Sequence, residues 1–126
     1  MNTITMINTN NAPAAIGPYS QALTNGSLIF TSGQLPLAPG SKTIPDDIKA
    51  QATASLANVK AILEEAGSSL SKVLKTTVFL TDMKDFAAVN EVYSTFFSQP
   101  YPARSCFAVK ELPLGAKVEI EVIAAR

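Results

Sequence analysis

The chain has 126 residues, of which 47% are hydrophobic and 16% charged, and its ten acidic residues balance ten basic ones. This length suits one domain over residues 1–126, and the neutral charge excludes a strong electrostatic attraction to nucleic acid or to an anionic membrane. Histidine is absent and there is one cysteine, so a single chain type can build no Ser-His-Asp triad, Cys-His pair, His-bearing zinc site or internal disulfide.

The N-terminal region has no Lys or Arg before Lys42 and no apolar signal core, and no apolar run approaches the length that spans a bilayer. A single cysteine fits a reducing compartment. We therefore expect no membrane partner and a cytoplasmic location, with a mitochondrial location as the alternative if a presequence is absent from this chain. The surplus of apolar residues predicts a surface that meets a protein partner.

Residues 1–11 are rich in Asn and Thr and are expected to form an N-terminal arm, with an edge strand at residues 3–7. The next segment, residues 12–22, contains two prolines and a glycine, which predict an ordered but irregular stretch. That stretch would deliver Tyr19 to a defined place. A packed ring is the commoner role for such a tyrosine, and ligand contact is the rarer one.

Asn25-Gly26 is a strong signal for a hairpin turn between strands at residues 19–23 and 28–32. The second strand is expected to be buried. It ends at Gly33, where a missing side chain lets a ligand or another backbone approach closely. Residues 34–47 contain several prolines and predict a loop.

Two amphipathic helices are predicted. Apolar residues recur at helical spacing from Asp47 and Gly67 supplies the stop, which gives a first helix of about five turns. Asp82 and Asp85 are both suitable caps for a second helix that runs to residue 97. Asn90 lies at the edge of its apolar stripe, where an asparagine is more often a satisfied polar neighbour than a ligand.

Between the helices, residues 73–81 predict a strand with Leu74, Val78 and Leu80 on one face and Val73 and Phe79 on the other. Apolar side chains on both faces are typical of a central strand that is covered twice. The order of strands, helix, strand, helix and strands indicates an α+β fold, in which a mixed sheet carries two main helices on one face.

The C-terminal region, residues 102–126, contains two runs with alternating side chains. In the first run Arg104 and Cys106 share one face. In the second run Glu119 and Glu121 lie opposite an apolar face made by Val118, Ile120 and Val122.

The connection between these runs contains Pro113 and Gly115, which predicts that the two strands are antiparallel neighbours in a hairpin. If the apolar faces of both strands share one core, with Phe107 and Val109 contributed by the first, the charged residues and the cysteine must share the opposite face. A register with Cys106 opposite Glu119 would also place Arg104 opposite Glu121.

Two roles for this cluster stay open on pattern alone. Arg104 is the only arginine besides the C-terminal Arg126, which points to a need for a bidentate fork. An exposed ion pair between Arg104 and Glu121 is the competing interpretation and is slightly the stronger one. Cys106 has no histidine to activate it as a nucleophile, so a role for its small size or its backbone donor is favoured.

These segments together resemble the Rid (reactive intermediate deaminase) family, also called the YjgF family, in its RidA branch. The resemblance covers nearly the whole chain and is carried by APAAIGPYSQA at 12–22, TSGQLP at 31–36, KTTVFLTDM at 75–83, FAAVNEVY at 86–93, PARSC at 102–106 and KVEIEVIA at 117–124. Several separate motifs in the right order are a far more specific signal than any one of them.

The resemblance implies a chorismate-mutase-like fold, assembled as a homotrimer with sites in clefts between subunits. It also implies a hydrolase that uses neither a cofactor nor a metal, a 2-iminobutanoate/2-iminopropanoate deaminase. Such an enzyme converts reactive enamines and imines, such as 2-aminoacrylate and 2-aminocrotonate, to 2-oxo acids and ammonia. The substrates would be released by pyridoxal-phosphate-dependent dehydratases.

Carried onto this sequence, the resemblance assigns Arg104 to the substrate carboxylate and Glu119 to the attacking water. Cys106 would contribute its backbone amide and its size. The remaining residues that the resemblance places around the substrate are scattered through the chain: Tyr19, Ser32, Gly33 and Asn90.

Two other functions stay open. One is a non-catalytic protein that binds or senses small carboxylates, such as 2-oxo acids, at the same arginine. The other is an RNA-cleaving inhibitor of translation, which the neutral charge and the lack of a basic groove interleaved with aromatic residues disfavour. We therefore expect no nucleic-acid partner.

Overall fold

The computed structural model describes residues 3–126, and in this part of the chain six strands form one mixed sheet. The strands are β1 (Thr5–Ile7), β2 (Ala22–Thr24), β3 (Leu28–Thr31), β4 (Val73–Leu80), β5 (Ala103–Ala108) and β6 (Val118–Ala125), and the helices are α1 (Ile48–Glu65) and α2 (Phe86–Phe96). Alternate residues of the strands share one hydrophobic core with both helices, whereas the other face of the sheet is open. The predicted α+β class, a mixed sheet with two main helices on one face, is confirmed.

Local signals set most element boundaries. The carboxylate of Asp47 caps α1 by accepting the Ala50 N–H at 2.9 Å, and Gly67 takes a positive φ of 78° just beyond the helix. At the Asn25-Gly26 turn, the Asn25 side chain accepts two backbone N–H groups, so the predicted hairpin is confirmed. Its first strand begins only at Ala22, because the proline-containing segment before it stays irregular.

The strand order is β1-β2-β3-β6-β4-β5, and all neighbours are antiparallel except β4 and β5. The predicted edge strand near the N-terminus is therefore confirmed as β1. The predicted hairpin between β5 and β6 is wrong, because β4 lies between these two strands. Helix α2 connects β4 to β5 as a crossover, which makes those strands parallel neighbours. The connection from β5 to β6 instead passes over the end of β4, where Val109 N–H donates to Leu80 and Thr81 N–H donates to Lys117.

This order also overturns the predicted face of Arg104. Arg104 pairs with Thr76, which pairs with Val122, and both of those residues are buried on the helix side. Glu119 pairs with Phe79 on the opposite, open face of the sheet. Arg104 and Cys106 therefore do not share a face with the glutamates, and the register that set Cys106 opposite Glu119 is wrong. Alternation gives two faces for each strand but does not say which of them faces the helices.

The side chains of β4 also depart from the predicted faces. The register of β4 against β6 shifts between Val73 and Lys75, so Val73 enters the core and Leu74 is 52% exposed. The predicted grouping of Leu74 with Val78 and Leu80 is therefore wrong. In a single chain β4 is covered on one face only. The open face of the sheet instead exposes large apolar side chains from several strands: Met6, Leu23, Phe30 and Phe107.

Candidate functional site

A cleft of about 770 Å³ lies where the segment before β2, the end of β3 and the start of β6 meet. Its lining includes Tyr19, Ser32, Gly33 and Glu119, and we call it the Glu119 cleft. Hydrogen bonds of Tyr19, of Ser32 and of the Gln34–Ile120 backbone pair fix these residues relative to one another. The cleft therefore brings together four of the residues that the sequence pointed to.

Glu119 lies directly against Gly33. A Cβ atom built on Gly33 would be 2.7 Å from the carboxyl carbon of Glu119, closer than real Cβ contacts come, and 3.0 Å from its Oε1. The backbone holds this contact in place, because Gln34 and Ile120 exchange both of their N–H···O bonds at 2.8 and 3.2 Å. The glycine is thus needed for space for the carboxylate, as the sequence suggested for a close approach.

The Glu119 carboxyl group is half-buried, and this burial raises its pKa above the ordinary value because it disfavours the charged form. The nearby carboxylate of Glu121, two residues along the same face of β6, raises the pKa further. A carboxylate with a raised pKa is a stronger base than a solvated one. Glu119 is therefore chemically suited to take a proton from water near neutral pH.

Gln21 holds the segment that carries Tyr19, a role that the sequence analysis missed. The Gln21 side chain is buried; its Oε1 accepts the Thr9 N–H at 2.8 Å, and its amide donates to the carbonyls of Thr9 and Pro13. These bonds tie residues 9–13 to the residue that precedes β2. A glutamine in an irregular, proline-containing stretch could have signalled this role, because such stretches need side-chain partners for their backbone groups.

Ser32 also anchors this region. Its hydroxyl donates to the carbonyl of Ser20 at 2.7 Å, and its N–H donates to Gln21 at 2.9 Å. Tyr19 follows a turn in which its own N–H donates to Gly17, and its side chain is exposed at the cleft. Tyr19 is thus not a core residue, and its ring is available to a ligand.

A second, smaller depression of about 470 Å³ surrounds Arg104, and we call it the Arg104 pocket. It is lined by Asn90, Tyr93, Tyr101 and Arg104. Arg104 donates from Nη1 to Oδ1 of Asn90 at 2.7 Å, and its guanidinium carbon lies 4.8 Å from the centroid of the Tyr93 ring. The Tyr93 hydroxyl shares a hydrogen bond of 2.8 Å with Thr76, so the ring beneath the guanidinium is fixed.

The aromatic support of Arg104 was not predicted as part of a site. Phe86 and Tyr93 both belong to the apolar stripe of α2, and the Arg104 guanidinium carbon also lies 5.4 Å from the centroid of the Phe86 ring. The spacing of Phe86, Asn90 and Tyr93 places all three on one helix face, and this spacing could have identified them. The guanidinium lies over both rings at cation–π distances, and a lysine ammonium would lack its planar set of donors.

The competing interpretation of Arg104 is not supported. Among residues 3–126 Arg104 forms no ion pair, and Glu121 lies on the other face of the sheet. Cys106 packs at the edge of the core beside β4. Burial raises the pKa of its thiol, an effect that the Arg104 charge offsets only in part, so the thiol is neutral at pH 7.

The structure thus divides the predicted site residues between two places on one chain. Tyr19, Ser32, Gly33 and Glu119 line the Glu119 cleft on the open side of the sheet. Asn90 and Arg104 line the Arg104 pocket on the helix side, and Cys106 lines neither.

Two further features bear on chemistry. Residues 3–126 contain no group of three or more histidine, cysteine, aspartate or glutamate side chains placed to hold a metal ion. Neither helix in the described part of the chain has both the length and the hydrophobicity needed to cross a bilayer.

Comparison with known proteins places these observations in context. A family model described as endoribonuclease L-PSP matches residues 9–126. The RutC family protein y4sK of Sinorhizobium fredii is 55% identical over 118 residues, which are 93% of this chain and 94% of that protein. The 2-iminobutanoate/2-iminopropanoate deaminase of Escherichia coli is 52% identical over 123 residues, 95% of this chain and 96% of that enzyme. The crystal structure of E. coli TdcF with bound serine superimposes with a TM-score of 0.93 at 51% identity, covering 97% of this chain and 98% of that one.

Proposed function

This chain belongs to the Rid (YjgF) family, and we propose from that membership and from the geometry of Glu119 that it is a cofactor-free imine deaminase. Its substrates would be 2-imino acids and their enamine tautomers, such as 2-aminoacrylate and 2-aminocrotonate, and its products 2-oxo acids and ammonia. The relative of E. coli named as a 2-iminobutanoate/2-iminopropanoate deaminase supports this substrate class.

The observation that carries the proposal is the Glu119 carboxylate, half-buried against Gly33 with a raised pKa. Hydrolysis of an imine needs a base that removes a proton from water as the oxygen attacks C2. It then needs an acid that returns a proton to the departing nitrogen. One carboxylate with a pKa shifted towards neutrality performs both steps in turn.

In the proposed mechanism, protonation of the enamine at C3 first gives the iminium form of the 2-imino acid, with two protons on its nitrogen. Glu119 accepts a proton from water while the water oxygen bonds to C2 and the C=N π-electron pair moves to nitrogen. The resulting carbinolamine takes the proton from Glu119 on its nitrogen. The C–N bond then breaks, ammonia leaves, and loss of the hydroxyl proton gives the 2-oxo acid, so the reaction consumes one water and needs no redox partner.

Arg104 would hold the substrate carboxylate. Its guanidinium has five N–H donors, and the Asn90 side chain takes one of them through Nη1. The Tyr93 ring lies 4.8 Å from the guanidinium carbon and supports the group, and two parallel donors would remain for a carboxylate. Positioning of the carboxylate sets the distance from C2 to the attacking water, and this is a large part of the catalytic effect.

Because Arg104 and Glu119 lie on opposite faces of one sheet, we propose that each site combines the Glu119 cleft of one copy with the Arg104 pocket of another. The exposed apolar side chains on the open face, Met6, Leu23, Phe30 and Phe107, support a large interface between copies. A homotrimer with the chorismate-mutase-like arrangement is the assembly that we propose. Each chain, as one domain over residues 1–126, would then contribute its Glu119 cleft to one site and its Arg104 pocket to another.

The direct test generates 2-aminocrotonate in the assay with a purified threonine dehydratase, a pyridoxal-phosphate enzyme. We propose that dehydratases of this class supply the substrate in the cytoplasm. The purified chain is expected to accelerate the appearance of 2-oxobutyrate and ammonia above the spontaneous rate. The Glu119→Gln variant serves as the matched control. Equal rates with the wild-type chain, with the variant and without protein would refute the proposal.

A carboxylate-binding sensor is the second candidate, because the structure of TdcF contains bound serine, a small amino acid. Calorimetry with 2-oxobutyrate, run beside the deaminase assay, separates the two functions. Binding without turnover favours the sensor. The description of the family model names an endoribonuclease, but the formal net charge of zero offers no electrostatic basis for RNA binding.

A further inference from the structure

Leu114 has an unusual backbone at the rim of the Glu119 cleft. Its φ and ψ of 59° and 22° lie in the left-handed region, which is disfavoured for a residue with a Cβ. The turn around it is closed by the Ala116 N–H, which donates to Pro113 at 3.2 Å. A glycine would adopt this conformation without strain, so the turn keeps a leucine in a position that its backbone does not favour.

The Leu114 residue lines the cleft and is 67% exposed. Other apolar residues line the same cleft, among them Ile16, which is 87% exposed, and Leu35 and Leu37 from the loop after β3. Burial of the aliphatic surface that lines the cleft, above all that of the exposed Leu114 and Ile16, gains free energy when an apolar group displaces water from it. The ligand for this part of the cleft is therefore aliphatic.

The size of the cleft supports the same conclusion. The imine of 2-oxobutyrate has seven heavy atoms and occupies on the order of 200 Å³, taking about 30 Å³ for each water-sized atom. The cleft holds about 770 Å³. Even when the Arg104 side chain of a neighbouring copy enters it, a substrate with only two carbons beyond C2 leaves much of the apolar lining in contact with water.

We propose, on the basis of the deaminase function above, that Leu114 is a specificity-determining residue that contacts the side chain of the substrate. The preferred substrates are then 2-imino acids with branched aliphatic side chains, rather than the smallest members of the class. Glu119 and Arg104 act on the imine and the carboxylate that all these substrates share, and the apolar lining around Leu114 distinguishes their side chains.

The test compares two imines that a purified L-amino-acid oxidase generates in the assay. The imine of leucine has a branched side chain of four carbons, and the imine of alanine has a methyl side chain. Leu114→Gly removes the side chain and relieves the backbone, and Leu114→Asn keeps a side chain that tolerates the left-handed region. Both variants are expected to lower the ratio of kcat/KM for the leucine imine to that for the alanine imine about tenfold. Met83→Asn changes an exposed apolar residue away from the cleft and is expected to leave the ratio unchanged.

An unchanged ratio in both Leu114 variants would overturn this inference and leave the deaminase function standing. Loss of the oligomer in either variant, measured by size-exclusion chromatography, would also overturn it, because Leu114 would then contact a neighbouring copy and not the substrate. Absence of turnover on both imines by the wild-type chain would refute the deaminase function and, with it, the role of Leu114.

Discussion

The carboxyl group of Glu119 occupies the space that a side chain at Gly33 would need, with 2.7 Å between a Cβ at that position and the Glu119 carboxyl carbon. Gly33 lies just after β3 and Glu119 lies in β6, and the two are joined through the paired backbones of Gln34 and Ile120. The position of the proposed base therefore depends on the absence of a side chain.

Gly33→Ala is expected to push the Glu119 carboxylate away and to lower kcat by about a hundredfold, because catalysis is sensitive to displacements of about 1 Å. Steady-state kinetics on 2-aminocrotonate measures this effect. Gly40→Ala is a stringent control, because it adds a methyl group at the rim of the same cleft with nothing within 4 Å and also strains the backbone, whose φ there is 77°. Similar kcat losses in both variants would mean that the contact with Glu119 is not the cause.

Glu119→Gln keeps the shape of the side chain and removes the base, so kcat should fall by roughly 10² to 10⁴. Glu121→Gln is the matched control on the same strand face and should keep most of the activity. In the wild type, kcat/KM should fall as the pH drops through the raised pKa of Glu119, because the protonated acid cannot accept a proton. Glu121→Gln removes a like charge and should move this acid limb to lower pH; a shift to higher pH would contradict the assignment.

The raised pKa of Glu119 also has a consequence for stability. Between its ordinary pKa and the raised pKa, the folded state binds more protons than the unfolded state, so the contribution of Glu119 to stability is lost as the pH rises. Glu119→Gln should therefore raise Tm at pH 7, by on the order of a degree or two, because solvent screens a half-exposed group. Thermal denaturation at pH 4 and pH 7 tests this; a gain of equal size at both values would point to another cause.

Arg104→Ala should abolish deamination and leave the fold intact, because the side chain is exposed and its loss leaves no buried charge. Arg104→Lys keeps the charge but loses the paired donors and the stacking on Tyr93, and should raise KM roughly tenfold. Arg126→Ala removes the other arginine and should be close to wild type in activity. Wild-type kinetics in a folded Arg104→Ala protein would exclude Arg104 from the site.

A mixing experiment tests whether one site uses two copies. When inactive Arg104→Ala and Glu119→Gln chains are co-refolded in equal amounts, about one quarter of the sites should combine an intact Arg104 with an intact Glu119 from different copies. Activity should therefore return to about one quarter of the wild-type value, by the same counting. If both residues acted within one chain, no mixture would contain an intact site, and the activity would stay at the level of the separate variants.

Features of the fold that depend on neighbouring residues were predictable. The Asp47 cap, the Gly67 stop and the Asn25-Gly26 turn each act within a few residues, and they located α1 and the first hairpin. The alternation in β6 correctly separated its glutamates from its buried valines and isoleucine.

Pairing between distant strands was not predictable in the same way. The proline and glycine between β5 and β6 fit a hairpin as well as a connection that crosses over the end of β4. The two are distinguished by the helix α2, which joins β4 and β5 as parallel neighbours. The error reversed the face of Arg104. The contact between Gly33 and Glu119 likewise spans most of the chain, so the sequence indicated a close approach at Gly33 without naming the group that approaches.

The location of Arg104 and Glu119 on opposite faces of one sheet makes the proposed activity a collective property. A free subunit would carry both catalytic groups and yet be inert, and each copy would complete the chemistry of its neighbours around a closed ring. When the protein is diluted below the concentration at which its subunits dissociate, the rate should fall more steeply than the protein concentration, because the specific activity would also decline. Dissociation of the subunits would thus remove the proposed activity without any change in the catalytic residues.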